Sequence, residues 1–364
     1  MRILYFGLFL FILSCGNQSE VKTIEVKTIP ADQNICSYSK WLRISEAKDL
    51  VQIEIRNPAD ARQIVRLQIP NFNGPLNPTR DYDFSKPVER LVCLSSTHIG
   101  MLGELNLENR IVGVSNLKYV YNEKLKLNAP VQLGEEQTLS SEKIISSRAQ
   151  AVVYSGFSNL FPKQDLLHKL GIQTLPNYDW RELHPLGRAE WILLFGYLTG
   201  HANEAKRKFK EICENYGKIK NKIQRDRTLQ TLSGNMTGDY WYAPAGDSYH
   251  AQLLKDAGLD YIFADQSGTG SLSFSFEHIL GMTSNIDLWI NPGFDSKNKI
   301  LSAYPKSKLL LPLKESSVFC YTHNSNKYWE LSSCRPDLIL ADYAELKKGA
   351  SMNPDHLFFY KQVE

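Results

Sequence analysis

The segment best equipped for covalent chemistry is Gly246-Asp247-Ser248, with His250 close behind. A serine hydroxyl becomes a nucleophile when a histidine takes its proton and a carboxylate orients that histidine. Ser248, however, stands in the second half of the chain, where it reads as the N-cap of a helix. Neither a G-x-S-x-G elbow nor an H-E-x-x-H zinc pair occurs. His98, at an expected strand-to-helix turn, is the histidine best placed to reach a metal centre; as a lone histidine it also fits a polar loop position. The eight histidines are scattered, and no C-x-x-C spacing suggests zinc. Glu142 and Glu277 each open an expected helix that leads into a buried strand, where an acid is favourable.

The elements that must position these groups are organised around the stretch from Leu183 to Lys222. Trp191, Leu194, Phe195 and Leu198 follow i, i+3, i+4, i+7 and share one helix face. Thr199-Gly200-His201 stops that helix, with Gly200 placed for a left-handed cap. Asn203 can cap a second helix that carries Phe209, Ile212, Cys213, Tyr216 and Ile219 on one face. About 20 residues make it about 30 Å long. Ahead of it, strands are expected at Leu91–Leu94, Arg110–Val114, Ala151–Tyr154 and Gly171–Leu175. After it, they are expected at Thr228–Ser233, Asp260–Phe263, Asp287–Ile290 and Leu309–Leu311. Helices alternate with these strands on both sides, which means parallel sheets.

The fold class is therefore α/β, with two parallel-sheet lobes bridged by one long backbone helix. Leu50–Arg56 and Gln63–Pro70 alternate as a hairpin and form a small N-terminal β extension. Arg335 to Tyr343 reads as a closing helix with a Pro near its start. The expected boundaries are a signal peptide at 1–14, a tether at 15–35 and the β extension at 36–87. The N-terminal lobe then covers 88–185, the linker and backbone helix 186–225, the C-terminal lobe 226–345 and a tail 346–364.

With 364 residues, 43% hydrophobic and 22% charged, the chain is ordinary globular material. A net charge of +3 is too small to argue for nucleic acid or a basic membrane patch. Arg2 precedes an apolar run from Ile3 to Leu13, too short to span a bilayer. The run ends in Leu13-Ser14-Cys15-Gly16, which resembles a bacterial lipoprotein lipobox. That implies cleavage before Cys15, lipidation of its thiol, export, and anchorage to an envelope membrane. Beyond Cys15, Cys36, Cys93, Cys213, Cys320 and Cys334 leave an odd number, so at least one thiol stays free. Cys320 and Cys334 could pair.

Arg90-Leu91-Val92-Cys93-Leu94-Ser95 and the run from Leu105 to Val114 resemble the opening of periplasmic substrate-binding proteins of the cobalamin, haem and iron-siderophore class, which feed ABC importers. His184 to Trp191 is similar to their linker into a rigid backbone helix, and Pro336 to Asp342 to their C-terminal helix. The resemblance covers roughly residues 88 to 345. It implies a receptor rather than an enzyme, a monomer with no cofactor of its own and no nucleic-acid partner. Such a receptor captures a large metal chelate between its lobes and delivers it to an ABC permease dimer. One glutamate on each lobe docks against arginines of that dimer, and the matching positions are Glu142 and Glu277.

The loops that this fold would bring to the cleft mouth are rich in aromatic residues: Tyr119, Tyr121, Tyr154, Tyr178, Trp180, Tyr240, Trp241, Tyr242, Tyr328 and Trp329. Rings with one polar edge suit a large, flat, partly polar ligand. The triplet Tyr240-Trp241-Tyr242, in a Gly/Pro-bounded loop, is the leading candidate. Arg181 is the main cation, which favours a near-neutral corrinoid over a highly anionic siderophore. Two alternatives stay open. A zinc or manganese receptor of similar architecture needs three or four His/Asp/Glu ligands converging in the cleft. A secreted hydrolase would use Gly246-Asp247-Ser248, which resembles the nucleophile segment of some esterases.

Overall fold

The computed structural model describes residues 33–364, apart from 136–137, 158–160, 225–227, 283–284 and 316. Cys15 and the expected leader lie outside the described residues. Among those described, no helix is long and apolar enough to cross a membrane.

The β extension is an antiparallel sheet of β1 (Leu42–Glu46), β2 (Leu50–Arg56) and β3 (Ile64–Pro70). The expected hairpin is β2–β3, in register from Leu50↔Pro70 to Arg56↔Ile64. β1, absent from the sequence reading, pairs along the other edge of β2. Period-2 alternation turns Ile44, Ile53, Ile55, Leu67 and Ile69 into a core shared with the first lobe. Glu54 stays outside, ion-paired with Arg56 and Arg66.

The N-terminal lobe contains β4 (Leu91–Cys93), α1 (Ser96–Glu104), β5 (Ile111–Val114), α2 (Glu123–Leu127), β6 (Val131–Gln132), α3 (Ser141–Ser146), β7 (Ala151–Tyr154), α4 (Gln164–Lys169) and β8 (Gln173–Pro176). Its parallel sheet has the order β6-β5-β4-β7-β8. The short apolar strands are covered on both faces. Leu91 and Cys93 face one core and Val92 the other, as alternation requires.

The bridge comprises α5 (Pro185–Glu190), α6 (Ile192–Leu198) and α7 (Ala202–Lys222). Gly200 has φ +79°, the left-handed turn expected between α6 and α7. The α7 cap differs from expectation: the helix begins at Ala202, so Asn203 lies inside it and His201 holds the cap position. A β-carbon on Gly196 would lie 2.3 Å from that of Ala205, so glycine sets how closely α6 and α7 pack. Phe209 of α7 touches the cores of both lobes.

The C-terminal lobe contains β9 (Gln230–Ser233), β10 (Asn235–Thr237), β11 (Tyr240–Pro244), α8 (Tyr249–Asp256), β12 (Asp260–Tyr261), β13 (Ser271–Ser275), α9 (Phe276–Met282), β14 (Leu288–Ile290), α10 (Lys297–Ala303), α11 (Leu311–Lys314), β15 (Val318–Cys320), α12 (Ser325–Leu331), α13 (Pro336–Leu346) and β16 (Lys361–Gln362). Its main sheet has the order β12-β9-β14-β15-β16, parallel except for β16. β10, β11 and β13 make a separate antiparallel sheet, so Tyr240-Trp241-Tyr242 is a strand and not a loop.

Three further expectations are corrected. Leu309–Leu311 is not a strand: it joins a 3-10 turn at Pro305–Leu309 to α11, because Pro305 and Pro312 favour a helical start and cannot donate to a ladder. The last parallel strand is β15. The segment after 345 is no loose tail, since Phe359, Tyr360 and Val363 are buried in the C-lobe core. Cys320 and Cys334 do not pair; both are free, in the cores of different lobes.

Two ties cross the molecule. Residues 37–41 run over α5 as a strap. The Glu190 carboxylate accepts the backbone N–H groups of Ser37, Tyr38 and Ser39 at 2.7, 2.8 and 2.6 Å. Glu182 accepts those of Lys40 and Trp41 at 2.9 and 3.3 Å, and the Trp191 indole N–H at 2.9 Å. Tyr38 stacks on His184, with ring centroids 5.3 Å apart. The second tie is α12, which follows a C-lobe strand yet packs on α1. Its buried Glu330 accepts the backbone N–H groups of Tyr121 and Asn122 in the first lobe. Its Asn326 side chain donates to the Lys118 carbonyl at 2.8 Å. The bridge is thus one long helix supplemented by a shorter one.

Candidate functional site

In each parallel sheet the chain leaves its strands toward the same edge, and a cavity of about 480 Å³ opens there between the lobes. That volume suits a small-molecule site, for which about 300–1,000 Å³ is typical. The first lobe contributes Trp180 and Arg181, in the turn after β8. The second contributes Ser233, Asn291 and Tyr321, at or just past the carboxyl ends of β9, β14 and β15. Tyr249 and His250 enter from the start of α8, and Tyr328 and Trp329 from α12. Residues at strand carboxyl ends are where parallel sheets place ligand contacts.

The walls are aromatic and fixed from behind. The Trp180 indole donates to the Ser155 carbonyl at 2.7 Å, and the Arg181 guanidinium lies 5.2 Å from its ring. Arg188 of α5 lies 4.1 Å from the Tyr249 ring centre and 3.3 Å from Asp179. Burial pushes the Asp179 carboxyl up, and the Arg188 charge opposes that shift. Tyr321 and Tyr328 stack at 3.6 Å with planes 6° apart.

The floor is a neutral hydrogen-bond chain. His250 Nε2 lies 3.0 Å from Ser233 Oγ, Asn291 Nδ2 donates to the same oxygen at 3.5 Å, and the Tyr360 hydroxyl donates to Asn291 Oδ1 at 3.0 Å. Burial, aided by Arg188, pushes the His250 imidazole down to about 4, so it is uncharged at neutral pH. Among the described residues, no Asp or Glu lines the cavity. Among the described residues no group of three or more His, Cys, Asp or Glu could hold a metal ion.

Of the aromatic candidates, Trp180, Tyr328 and Trp329 lie on the cavity wall, while Tyr178 is buried in the first-lobe core. Tyr240 and Tyr242 are exposed on the outer face of β11. The register Asn235↔Tyr242 and Pro244↔Ser271 puts them on the same face as Asn235, Pro244 and Ser271, which line the cavity. They therefore stand on a wall that continues past its rim.

Trp241 is corrected to a core residue. It points to the opposite face, is 0% exposed, lies 5.3 Å from the Trp289 ring and donates to the Ser233 carbonyl at 3.3 Å. Tyr154 is likewise corrected: it is buried against Phe161, with ring centroids 4.8 Å apart. Tyr119 is exposed away from the cavity, and Tyr121 lines a separate one of about 330 Å³ beside α12. His98 is fully buried beside Phe195, where burial pushes its imidazole down to about 3; it cannot reach a metal in the cleft. Tyr249, Asn291 and Tyr321 were not among the sequence candidates. The signal for the last two was their place directly after a buried strand.

The hydrolase constellation does not assemble. Ser248 caps α8, its hydroxyl accepting the Ala251 N–H at 3.2 Å, and His250 turns to Ser233 instead. Glu142 and Glu277 lie in the first turns of α3 and α9, both well exposed.

Comparison with known proteins agrees with this architecture. An uncharacterized lipoprotein of Methanocaldococcus jannaschii is 27% identical over 278 residues, a span that covers 71% of this chain and 65% of that protein, just under two thirds of its length. A periplasmic binding protein of Veillonella parvula superposes with a TM-score of 0.60 at 13% identity, covering 82% of this chain and 97% of that one. The periplasmic haem binding protein HutB of Vibrio cholerae superposes with a TM-score of 0.57 at 14% identity, over 69% and 96%. The periplasmic vitamin B12 binding protein BtuF of the same organism gives 0.52 at 14% identity, over 72% and 99%. At these identities the structures share the fold alone. The family model described as periplasmic binding protein matches residues 91–302, more than half of the sequence, and the chain belongs to that family.

Proposed function

We propose that this protein is the substrate-binding component of an ABC importer, capturing a large, flat metal chelate of low negative charge between its lobes. The observation that carries this reading is the cavity itself: aromatic walls, a neutral polar floor and, among the described residues, one arginine and no carboxylate. A bare divalent cation would need anionic ligands that the wall lacks. A multiply charged siderophore would need more cations than Arg181. A chelate larger than the cavity would extend along the outer face that carries Tyr242 and Tyr240. Corrinoids and haem fit this description, and the haem and vitamin B12 receptors among the structural neighbours are consistent with it.

In the same reading Cys15 carries a lipid anchor that holds the exported protein at an envelope membrane. Glu142 and Glu277 contact the permease dimer, and the protein works as a monomer without catalysis. The test is tryptophan quenching on titration with cyanocobalamin, cobinamide, haemin and ferric desferrioxamine, with Zn²⁺ as control. Saturable quenching by one chelate, shifted to higher concentration in Trp329→Ala, is the expected result. A response to Zn²⁺ alone would replace the chelate reading with the metal-ion one.

A further inference from the structure

Each proposed docking glutamate has a lysine partner, and the two pairs occupy equivalent places. In the first lobe Glu142 of α3 lies 3.7 Å from Lys163, which immediately precedes α4. In the second, Glu277 of α9 lies 2.7 Å from Lys306, in the turn Pro305–Leu309. All four side chains are more than half exposed. β7 and β14, which separate acid from lysine in sequence, are topological counterparts. Each flanks the first strand of its lobe, β4 or β9, on the side away from the second strand, β5 or β12.

The likeness continues one turn onward. An aliphatic residue stands at i+3 from every charged one: Ile145, Leu166, Leu280 and Leu309. Ile145, Leu166 and Leu309 are exposed and Leu280 is half-buried. The glutamates are held in the ionised form. For Glu142 its own backbone N–H, the Ser140 hydroxyl and Lys163 keep the carboxyl below its usual range; for Glu277 Lys306 and its own N–H do so.

We infer that the two Glu–Lys pairs, each with its aliphatic rim, form a two-point docking surface for a permease that answers each pair with an inverted pair, a cation for the glutamate and an anion for the lysine. The inference rests on the proposal that Glu142 and Glu277 meet the permease. A lone exposed carboxylate accepts any arginine. A lysine beside the carboxylate is itself repelled by a surface that offers only cations, so it narrows the choice of partner. Exposed ion pairs contribute little to the stability of the protein that carries them. Exchanging the internal partner for an external one therefore costs the receptor little.

The experiment compares the double variants Lys163→Glu/Lys306→Glu and Glu142→Lys/Glu277→Lys with the fourfold inversion that combines them. Chelate affinity is measured by quenching on the purified full chain. Uptake is measured in source cells carrying each variant, with radiolabelled haemin, cyanocobalamin and ferric desferrioxamine; the probe that wild-type cells import is the reporter. The expected result is a loss of uptake of roughly tenfold or more in both double variants, with affinity unchanged. The inversion rebuilds both internal pairs and is expected to remain defective. Uptake restored by the inversion would mean that the pairs serve only this protein, and would overturn the inference. Normal uptake in the lysine variant, with loss in the glutamate variant, would overturn it while leaving the glutamate docking reading intact. Normal uptake in both would remove that reading as well. A fall in chelate affinity in the lysine variant would place the lysines' effect in the cleft and overturn the inference.

Discussion

Gly100 of α1 and Glu330 of α12 meet backbone to backbone: a β-carbon on Gly100 would lie 1.7 Å from the Glu330 carbonyl oxygen. α12 is therefore seated on the first lobe, although the chain reaches it from a strand of the second and its Tyr328 stacks on Tyr321 of that lobe. Its residues Tyr328 and Trp329 bring to the cleft a wall seated on α1. Gly100→Ala has no flexible side chain to push aside. It is expected to destabilise the protein by about 1–3 kcal/mol, the usual cost of overpacking. Urea unfolding checks this, and an unchanged midpoint would show that the two helices can part freely.

The same helix carries a proton-linked contact. Burial pushes the Glu330 carboxyl up from an ordinary 4.5 to about 7, against the opposing pull of the Tyr121 and Asn122 N–H groups and Lys126. A carboxyl whose folded pKa is raised holds its proton more tightly in the folded state. Its contribution to stability is therefore full below pH about 4.5 and is lost as pH rises through about 7. Glu330→Gln removes that slope. Between pH 5 and 8 the wild type is expected to lose roughly 2–3 kcal/mol more stability than the variant. Equal slopes would show that Glu330 titrates as an exposed acid.

Trp241 and Trp329 are expected to separate fold from binding. Trp241→Ala leaves a cavity against Trp289 and lowers stability by about 3–5 kcal/mol, with chelate affinity kept in the folded fraction. Trp329 is 47% exposed on the cavity wall. Its removal should leave the thermal midpoint near that of the wild type and weaken chelate binding about tenfold, or about 1.4 kcal/mol. Calorimetry and fluorescence titration on the two variants decide the matter, and the opposite pattern would exchange their roles.

Glu182→Gln with Glu190→Gln probes the strap. An amide presents N–H donors to the N–H donors of residues 37–41, so each substitution loses acceptors and adds a clash. A loss of about 1.5–3 kcal/mol per carboxylate is expected. Amide exchange of residues 37–41 should accelerate selectively, as mass spectrometry would detect. Uniform acceleration across both lobes would instead make the carboxylates part of the global core.

Much of the α/β framework was legible because its signals are local. Runs such as Leu91–Cys93 and Ala151–Tyr154 are buried on both faces, so composition alone marks them as strands. Gly200 announced the turn before α7 by the backbone angle that it must adopt. What escaped depends on distant partners. Tyr240-Trp241-Tyr242 alternates as a strand should, but which face is buried is decided by Trp289, far along the chain. Trp180 lines the cavity from a turn, as its expected loop position requires, whereas Trp329 reaches it from α12 and not from a loop. Asn291 was missed because its side-chain type does not distinguish it, and Tyr321 because β15, which places it, was not recognised: the last strand was expected at Leu309–Leu311. The strap was invisible for a related reason. Its hydrogen bonds join backbone groups near residue 40 to carboxylates some 150 residues later.

Residues 34–36, just ahead of the strap, decide where force enters the molecule. Residues 37–41 are held over α5, beside α7, where the chain passes from one lobe to the other. A pull transmitted through the chain ahead of residue 33 reaches the body at β1, through the bridge of Asn34 to Ser45 and the Ile35 N–H donated to the Ile44 carbonyl at 2.9 Å. The load therefore falls first on the β extension and the core that it shares with the first lobe, and the strap to Glu182 and Glu190 takes it next.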